Sequence, residues 1–527
     1  MIPPSRDKAV IEGQQVMVGP GAGTGALAQL WQRLGGLIPR GAFVGGASQL
    51  VLGTVVGQMV VILSAPVLSR MYGPAEFGVL AVYAAMLAVS ASMATLRYEV
   101  AIPLPKSEGS AAVMLVIATT VVIAATLLAS LLVFLFGEAL VNWTNTPGLA
   151  SYLWTVPLGV LLMGMHGILT YWALRNRAFG LVAQTRIQQG IGMATTQLML
   201  GYLRFGPLGL IVGHIVGFAA GFVSLARFWY RTGAQATRAW NPGRMYRRAL
   251  RYRDYPLYSS WGGVVNTTGL QLPVMLFASY YSPAVAGMYL LSNRVANAPV
   301  ALVAEAVGKV FYVSAVDARR RDRLPELVLK VFDGLLKASL TPFVLIAITA
   351  PGFFSVIFGA AWSEAGPYFQ WLVVLMASVF VFSPLAMLYS VLYRHREDLY
   401  FQVVLFVARV AAIILGARLG GPLVGIACFA LSASAVYIGF GVRLLCIAGV
   451  RLTAVMRILL REGAIATAAG AAIYGASRFL GDGLARRIDL AGVCLLLLTV
   501  LVAGAALLRV RSTLKSIQQM SSASPGS

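Results

Sequence analysis

The chain has 527 residues, 59% of them hydrophobic and 11% charged, with a mean hydropathy of +0.80 and a formal net charge of +23. A soluble domain carries about 25% charged residues, so this composition excludes water as the main solvent. The apolar runs are continuous for about 20 residues, which a spanning helix needs and the alternating strands of a barrel do not show; the sequence predicts an all-α membrane protein.

Residues 1–40 are Gly-rich and loosely amphipathic, with Arg6, Lys8, Arg33 and Arg40. No short apolar stretch with a small-residue cleavage site follows the start, so this segment reads as a cytoplasmic tail. Fourteen apolar segments then follow, at 42–68, 77–102, 111–136, 150–173, 181–202, 207–229, 257–280, 285–312, 328–358, 367–392, 399–418, 421–446, 459–480 and 490–509. They divide the chain into a six-helix lobe (41–230), a basic cytoplasmic loop (231–256), a second six-helix lobe (257–447), two added helices (448–510) and a tail (511–527). Cys428, Cys446 and Cys494 fall in apolar segments without metal or disulfide spacing and read as small buried hydrophobes. The sequence calls for no metal and no cofactor.

Orientation follows from the arginines. With the N-terminus in the cytoplasm, the inner loops carry Lys106, Arg175, Arg177, Arg186, the cluster from Arg231 to Arg253, Arg319 to Arg323, Arg394, Arg396, Arg451 and Arg457, and the C-terminal tail carries Arg509, Arg511 and Lys515. The outer loops 137–148, 280–285 and 358–367 have no Lys or Arg; Arg70, Arg204, Arg418, Arg486 and Arg487 are the exceptions. Both termini are then cytoplasmic. The +23 is mostly topology, so the cluster at 231–253 is not read as a nucleic-acid patch. No outer loop is long enough to hold the acceptor of a periplasmic polymerase, ligase or glycosyltransferase. No GxxxxGK[ST] loop is present for ATP hydrolysis.

The chain repeats itself. Tyr72-Gly73-Pro74-Ala75-Glu76-Phe77-Gly78 follows the first span, and Tyr281-Ser282-Pro283-Ala284-Val285-Ala286-Gly287 follows the seventh, with Tyr, Pro, Ala and Gly matching at an offset of 209 residues. Each preceding span has a proline near its outer end, Pro66 and Pro273. Six spans separate the copies, so the repeats run parallel: two pseudo-symmetric six-helix lobes facing each other across a cleft, with bent first helices suited to rocking.

An ionisable side chain near the bilayer centre costs roughly 2.5–3.5 kcal/mol and normally faces a partner or a cavity. In the eighth span Arg294, Asn297, Glu305 and Lys309 share one helical face. Glu305 and Lys309 are spaced to pair, whereas Arg294 has no acid within a turn and is available to a ligand phosphate. A charge bond between helices is the alternative for this stripe. Arg97 and Glu99 lie toward the cytoplasmic end of the second span, Arg97 toward the cleft and Glu99 toward a neighbour, or both snorkel to the interface. Glu99 and Glu305 are the candidates for ion coupling or for a structural ion pair. Gln49 and Gln58 in the first span and Ser259, Ser260, Asn266, Thr267, Thr268 and Gln271 in the seventh either meet sugar hydroxyls or hold helices together. His166 and His214 read first as helix contacts, and Arg409 is a further cavity candidate. No nucleophile–base set or carboxylate dyad is visible, which points away from an enzyme.

The stretches 68–105 and 250–295, with their Gly-Pro turn, Arg97-Tyr98-Glu99 and the Asn293-Arg294 step, resemble the bacterial polysaccharide transporter family. These are the O-antigen and exopolysaccharide flippases of the multidrug/oligosaccharidyl-lipid/polysaccharide exporter superfamily. The resemblance implies a V-shaped two-lobe fold, alternating access and an undecaprenyl-diphosphate-linked oligosaccharide as cargo. It also implies a basic central cavity, with Arg294 and Arg97 at the family's cationic positions; the residues read from the spans themselves, Lys309, Asn297, Asn266 and Gln58, are the further candidates for lining it. Partners would be the lipid-linked oligosaccharide, membrane lipids, and the polysaccharide polymerase and chain-length machinery. The first span has Gln where the family has an arginine or an acid. Two alternatives remain: a drug exporter of the same superfamily, whose site would favour acids and aromatics, and a membrane-embedded glycan polymerase or ligase, against which the short outer loops speak.

Overall fold

The computed structural model describes residues 42–235 and 241–479. The N-terminal tail, the fourteenth span and the C-terminal tail expected from the sequence lie outside the described residues. Within them are thirteen long helices and no strand: α1 Ala42–Met71, α2 Pro74–Ala94, α3 Glu108–Trp143, α4 Thr155–Arg175, α5 Phe179–Tyr202, α6 Pro207–Thr232, α7 Ser260–Tyr280, α8 Pro283–Arg320, α9 Leu324–Phe358, α10 Ala365–Leu385, α11 His395–Leu419, α12 Pro422–Ile447 and α13 Leu452–Phe479. They coincide in order with the first thirteen apolar segments. Nine are apolar and charge-poor enough to cross a bilayer by length and composition. Of the others, α5 and α7 are long enough but too polar, which already marks them as helices with something to face other than lipid.

The helix starts follow local chemistry. Proline occupies the first position of α2, α6, α8 and α12, where its missing N–H costs nothing. The Ser107 and Ser282 hydroxyls accept from the Ser110 and Val285 amides to cap α3 and α8. Several boundaries differ from the sequence expectation: α3 and α8 run on to Trp143 and Arg320, past 136 and 312, and α13 begins at Leu452 rather than at 459. The second span ends at Ala94 rather than at 102, because Leu96 and Arg97 both take left-handed backbone angles (φ 47° and 60°). The basic loop 231–256 contains an amphipathic helix, Pro242–Arg251, which lies on α3 through an Arg248 to Ser110 hydrogen bond of 2.7 Å.

Packing between the spans rests on small residues that let backbones approach. The crossing of α1 with α5 has Gly53 against Ala183, and Gly57 against both Gly190 and the Arg186 carbonyl. A Cβ on Gly190 would stand 3.0 Å from the Gly57 Cα. The second close crossing is made by the two copies of the repeat. Gly78 on α2 lies against the Pro283 carbonyl, and Gly287 on α8 against the Pro74 carbonyl. The repeated Pro-x-x-x-Gly units therefore pack on each other reciprocally, as a two-fold relation between them requires.

The arginine-poor end of the bundle is fastened around this contact. Trp362, fully buried, donates its indole N–H to the Ser69 carbonyl at 2.8 Å and meets the Phe77 ring edge-on at 5.0 Å. Arg70 donates to the Val356 carbonyl at 3.1 Å, and the Tyr72 hydroxyl to the Gln197 carbonyl at 2.8 Å. Helix α13 packs on α9, where Asp333 accepts from Lys337 and Arg461, both at 2.6 Å, while Arg461 also pairs with Glu462. Cys428 and Cys446 are free thiols; Cys494 lies outside the described residues.

Candidate functional site

A cavity of about 460 Å³ opens among α1, α4, α5, α6 and α8. Thr54, Gly57, Gln58 and Val61 of α1 form one wall, Arg186, Gln189, Gly190 and Met193 of α5 another, and His214, Gly217 and Phe218 of α6 a third. Met163 of α4 and Arg294 of α8 complete the lining. Arg294 stands eleven residues after Pro283, the first residue of α8, which is about 16 Å at 1.5 Å per residue. That is near mid-depth for a hydrocarbon layer of about 30 Å.

The electrostatics are one-sided. Arg186 and Arg294 bring two guanidinium groups to the cavity, and no Asp or Glu is among its lining residues. The ion pairs among the described residues lie elsewhere, around Asp333 and Glu462 on α9 and α13 and around Glu397 with Arg394 and Arg443. An unpaired cation at the depth of Arg294 costs roughly 2.5–3.5 kcal/mol on the insertion scale. A fold that carries that cost has a use for it, and planar guanidinium groups match phosphate oxygens.

Local packing fixes where each cation sits. The glycine crossing of α1 on α5 leaves the Arg186 backbone against Gly57, so its side chain leaves α5 beside Gln58. The Arg186 Nη1 donates to Gln189 Oε1 at 3.2 Å, and the Gln189 amide nitrogen lies 3.0 Å from His166 Nε2. His214 packs its ring edge-on to Tyr83 and Phe218, at 6.3 and 5.3 Å.

Of the residues proposed from sequence, the structure brings Arg294 and Gln58 together in this cavity. Asn297 is exposed one turn beyond Arg294, and Asn266 is exposed on α7; neither lines the cavity. Arg97 is not there either. It lies in the turn after α2, and its guanidinium fills the space beside Gly263 of α7, where a Cβ would meet Nη2 at 2.9 Å. Glu99 is buried in the short turn Tyr98–Ala101. The side chains of Glu305 and Lys309 lie outside the described residues, and with them the expected pair. Arg409 sits away from the cavity, over the Phe429 ring at 5.9 Å and 3.5 Å from the Gly269 carbonyl.

Arg186 is the correction. Read as a loop charge by its place near a basic cytoplasmic loop, it belongs to α5, two turns inside the helix. The signal was in the sequence: Gln184, Gln188 and Gln189 surround it, and a loop arginine has no reason to sit among glutamines at helical spacing. The polar wall also comes from α5 rather than from α7, with its Ser, Asn and Thr residues.

Residues 67–367, more than half of the chain, match the model of the polysaccharide biosynthesis protein family. No curated protein matches the chain in sequence. Among solved structures the fold is similar to that of the lipid II flippase MurJ in an inward closed conformation. The TM-score there is 0.65 at 11% identity, covering 88% of this chain and 98% of that one. It is also similar to an inward-facing multidrug resistance MATE family transporter of the MOP superfamily, with a TM-score of 0.52 at 13% identity, covering 78% and 94%.

Proposed function

The chain belongs to the polysaccharide biosynthesis protein family and has a MurJ- and MATE-like transporter fold, and from that premise we propose that it is a flippase for an undecaprenyl-diphosphate-linked oligosaccharide. The cargo is an O-antigen, exopolysaccharide or capsule repeat unit. It moves from the cytoplasmic to the periplasmic leaflet of a bacterial inner membrane, with both termini of the protein cytoplasmic. The observation that carries this reading is the pair of unpaired guanidinium groups, Arg186 and Arg294, in a cavity without carboxylates.

The diphosphate enters the cavity while the polyprenyl chain stays in the bilayer. Arg294 and Arg186 offset its charge with charge-assisted hydrogen bonds, and Gln58 meets the first sugar. Arg97 and Lys309 contact the headgroup on its way in from the arginine-rich end, with Asn266 and Asn297 beside the path. The two six-helix halves, 41–230 and 257–447, then rock about the reciprocal Pro-x-x-x-Gly contact and expose the cavity to the other face. Glu99 and Glu305 are the candidates for coupling this motion to an ion. The protein performs no covalent step. Export of cationic drugs is the weaker reading, because the cavity lining offers two cations and no acid.

The test is genetic. In a strain lacking its own copy, the wild-type chain restores surface glycan, and Arg294→Met does not although it inserts normally. Full restoration by Arg294→Met overturns the assignment. Normal glycan in the deletion strain, together with accumulation of a cationic dye, supports the drug exporter instead.

A further inference from the structure

Arg186, Gln189 and His166 form a string of hydrogen bonds that runs from the cavity wall into the protein behind it. Its polarity can be worked out from donors and acceptors alone. A guanidinium only donates, so the Gln189 oxygen must face Arg186, as the 3.2 Å contact shows. That turns the Gln189 amide nitrogen toward His166 Nε2, 3.0 Å away. An amide NH2 also only donates, so Nε2 must accept, and the ring proton belongs on Nδ1. His166 is 4% exposed, and its Nδ1 has no protein partner among the described residues. Gln189 is therefore the one side chain that bonds the ring, and the ring is what bonds the amide nitrogen of Gln189.

Space for the string is provided by α6. A Cβ on Gly221 would stand 3.0 Å from His166 Cε1 and 3.2 Å from Gln189 Cγ. At Gly217, a Cβ would lie 3.2 Å from the Gln189 carbonyl. Helix α6 thus has no side chain where the string passes between α4 and α5. If the amide of Gln189 were reversed, two donors would face each other at Arg186 and the guanidinium would lose its tether.

We propose that His166 and Gln189 are positioning residues: His166 fixes the orientation of Gln189, and Gln189 aims the Arg186 guanidinium at the phosphate of the cargo. The inference rests on the flippase reading for the identity of that phosphate. It assigns a role to a buried histidine that touches no cargo, and it makes Arg186 a held group rather than a free one.

The experiment measures binding of farnesyl diphosphate to the purified full-length protein in detergent, with each variant checked for monodispersity and thermal midpoint. Arg186→Met, Gln189→Leu and His166→Phe should each weaken binding on the order of tenfold, the loss of one charge-assisted or positioning hydrogen bond. His166→Gln, which keeps an acceptor near Nε2, should retain most of the affinity. Gln189→Glu should weaken binding at least as much as Arg186→Met, because its carboxylate would pair with the guanidinium. The deciding readout is coupling: in the Arg186→Met background, His166→Phe and Gln189→Leu should add less than about twofold, since residues acting through one group are non-additive. Equal losses in both backgrounds, or no loss for either variant, overturn the positioning role. If His166→Phe does not fold, Gln189→Leu and Gln189→Glu decide the matter by the same criterion. Failure of the underlying reading looks different: Arg294→Met would then bind farnesyl diphosphate as tightly as wild type. Loss on Arg294→Met with no effect at Gln189 or His166 overturns the string alone.

Discussion

Replacing Gly78 or Gly287 with alanine should loosen the arginine-poor end of the bundle. A Cβ on Gly78 would overlap the Pro283 carbonyl and stand 2.9 Å from the Pro283 Cα; one on Gly287 would overlap the Pro74 carbonyl and stand 2.7 Å from the Gly78 nitrogen. Carbon atoms rest at about 3.5–4.0 Å, so α2 and α8 must separate by roughly 1 Å. The obstacles are backbone atoms at the first turns of both helices, and no side chain can swing away. Overpacking of this kind costs about 1–3 kcal/mol, against a gain of about 0.5–1 kcal/mol from alanine in a helix. The net, about 1 kcal/mol or somewhat more, amounts to a several-fold to tenfold shift away from the closed contact. The assay is thiol labelling of a Val61→Cys reporter at the cavity wall, in a chain whose three native cysteines are replaced, with an impermeant reagent added from the periplasmic face. Each alanine variant should label several-fold to tenfold faster, and the double variant should fall short of the product, because both substitutions strain one contact. Unchanged labelling, with the protein still folded, would refute the reasoning that this contact closes the cavity on that side.

Other expectations follow from the same geometry. Gly57→Ala should cost about 1–3 kcal/mol at the α1–α5 crossing and also weaken farnesyl diphosphate binding, because the new Cβ presses on the Arg186 backbone; retained affinity with a lowered thermal midpoint would separate the two effects and contradict the second. A Cβ at Gly263 comes nearest to the guanidinium of Arg97, which can move; Gly263→Ala should leave stability nearly unchanged while slowing glycan export, measured as surface glycan. Asp333→Asn removes the carboxylate that joins Lys337 and Arg461. Both cations are about half exposed, so the loss should be no more than about 1 kcal/mol, seen as a slightly lower thermal midpoint with unaltered ligand binding.

Much of the fold was legible because hydrocarbon leaves few choices. Span lengths are set by bilayer thickness, and the thirteen described helices sit where the apolar segments do. The repeat was also legible, since the turn residues Pro74 and Pro283 and the glycines after them serve one contact made twice over. Arg294 could be singled out because it has no acid within a turn of helix. Arg186 was hidden by the rule that revealed the topology: close to a cytoplasmic loop, an arginine looks like orientation charge whether it points to water or into a cavity. Arg97 was misplaced for a different reason. The left-handed turn at Leu96 and Arg97 is made by residues that seldom adopt it, so nothing local marks the helix end at Ala94. The bond between Gln189 and His166 joins α5 to α4 across 23 residues of sequence, a pairing that only the packing of those helices reveals.

Translocation of a diphosphate-linked lipid through an arginine-lined cavity is the central step. Proteoliposomes carrying an undecaprenyl-diphosphate-linked oligosaccharide measure this directly, as the fraction of glycan open to an externally added glycosidase over time. With the wild-type chain that fraction should climb from the outer-leaflet share toward the whole pool, while Arg294→Met liposomes stay at the starting value. Equal curves for the two proteins, or a wild-type curve matching empty liposomes, would contradict it.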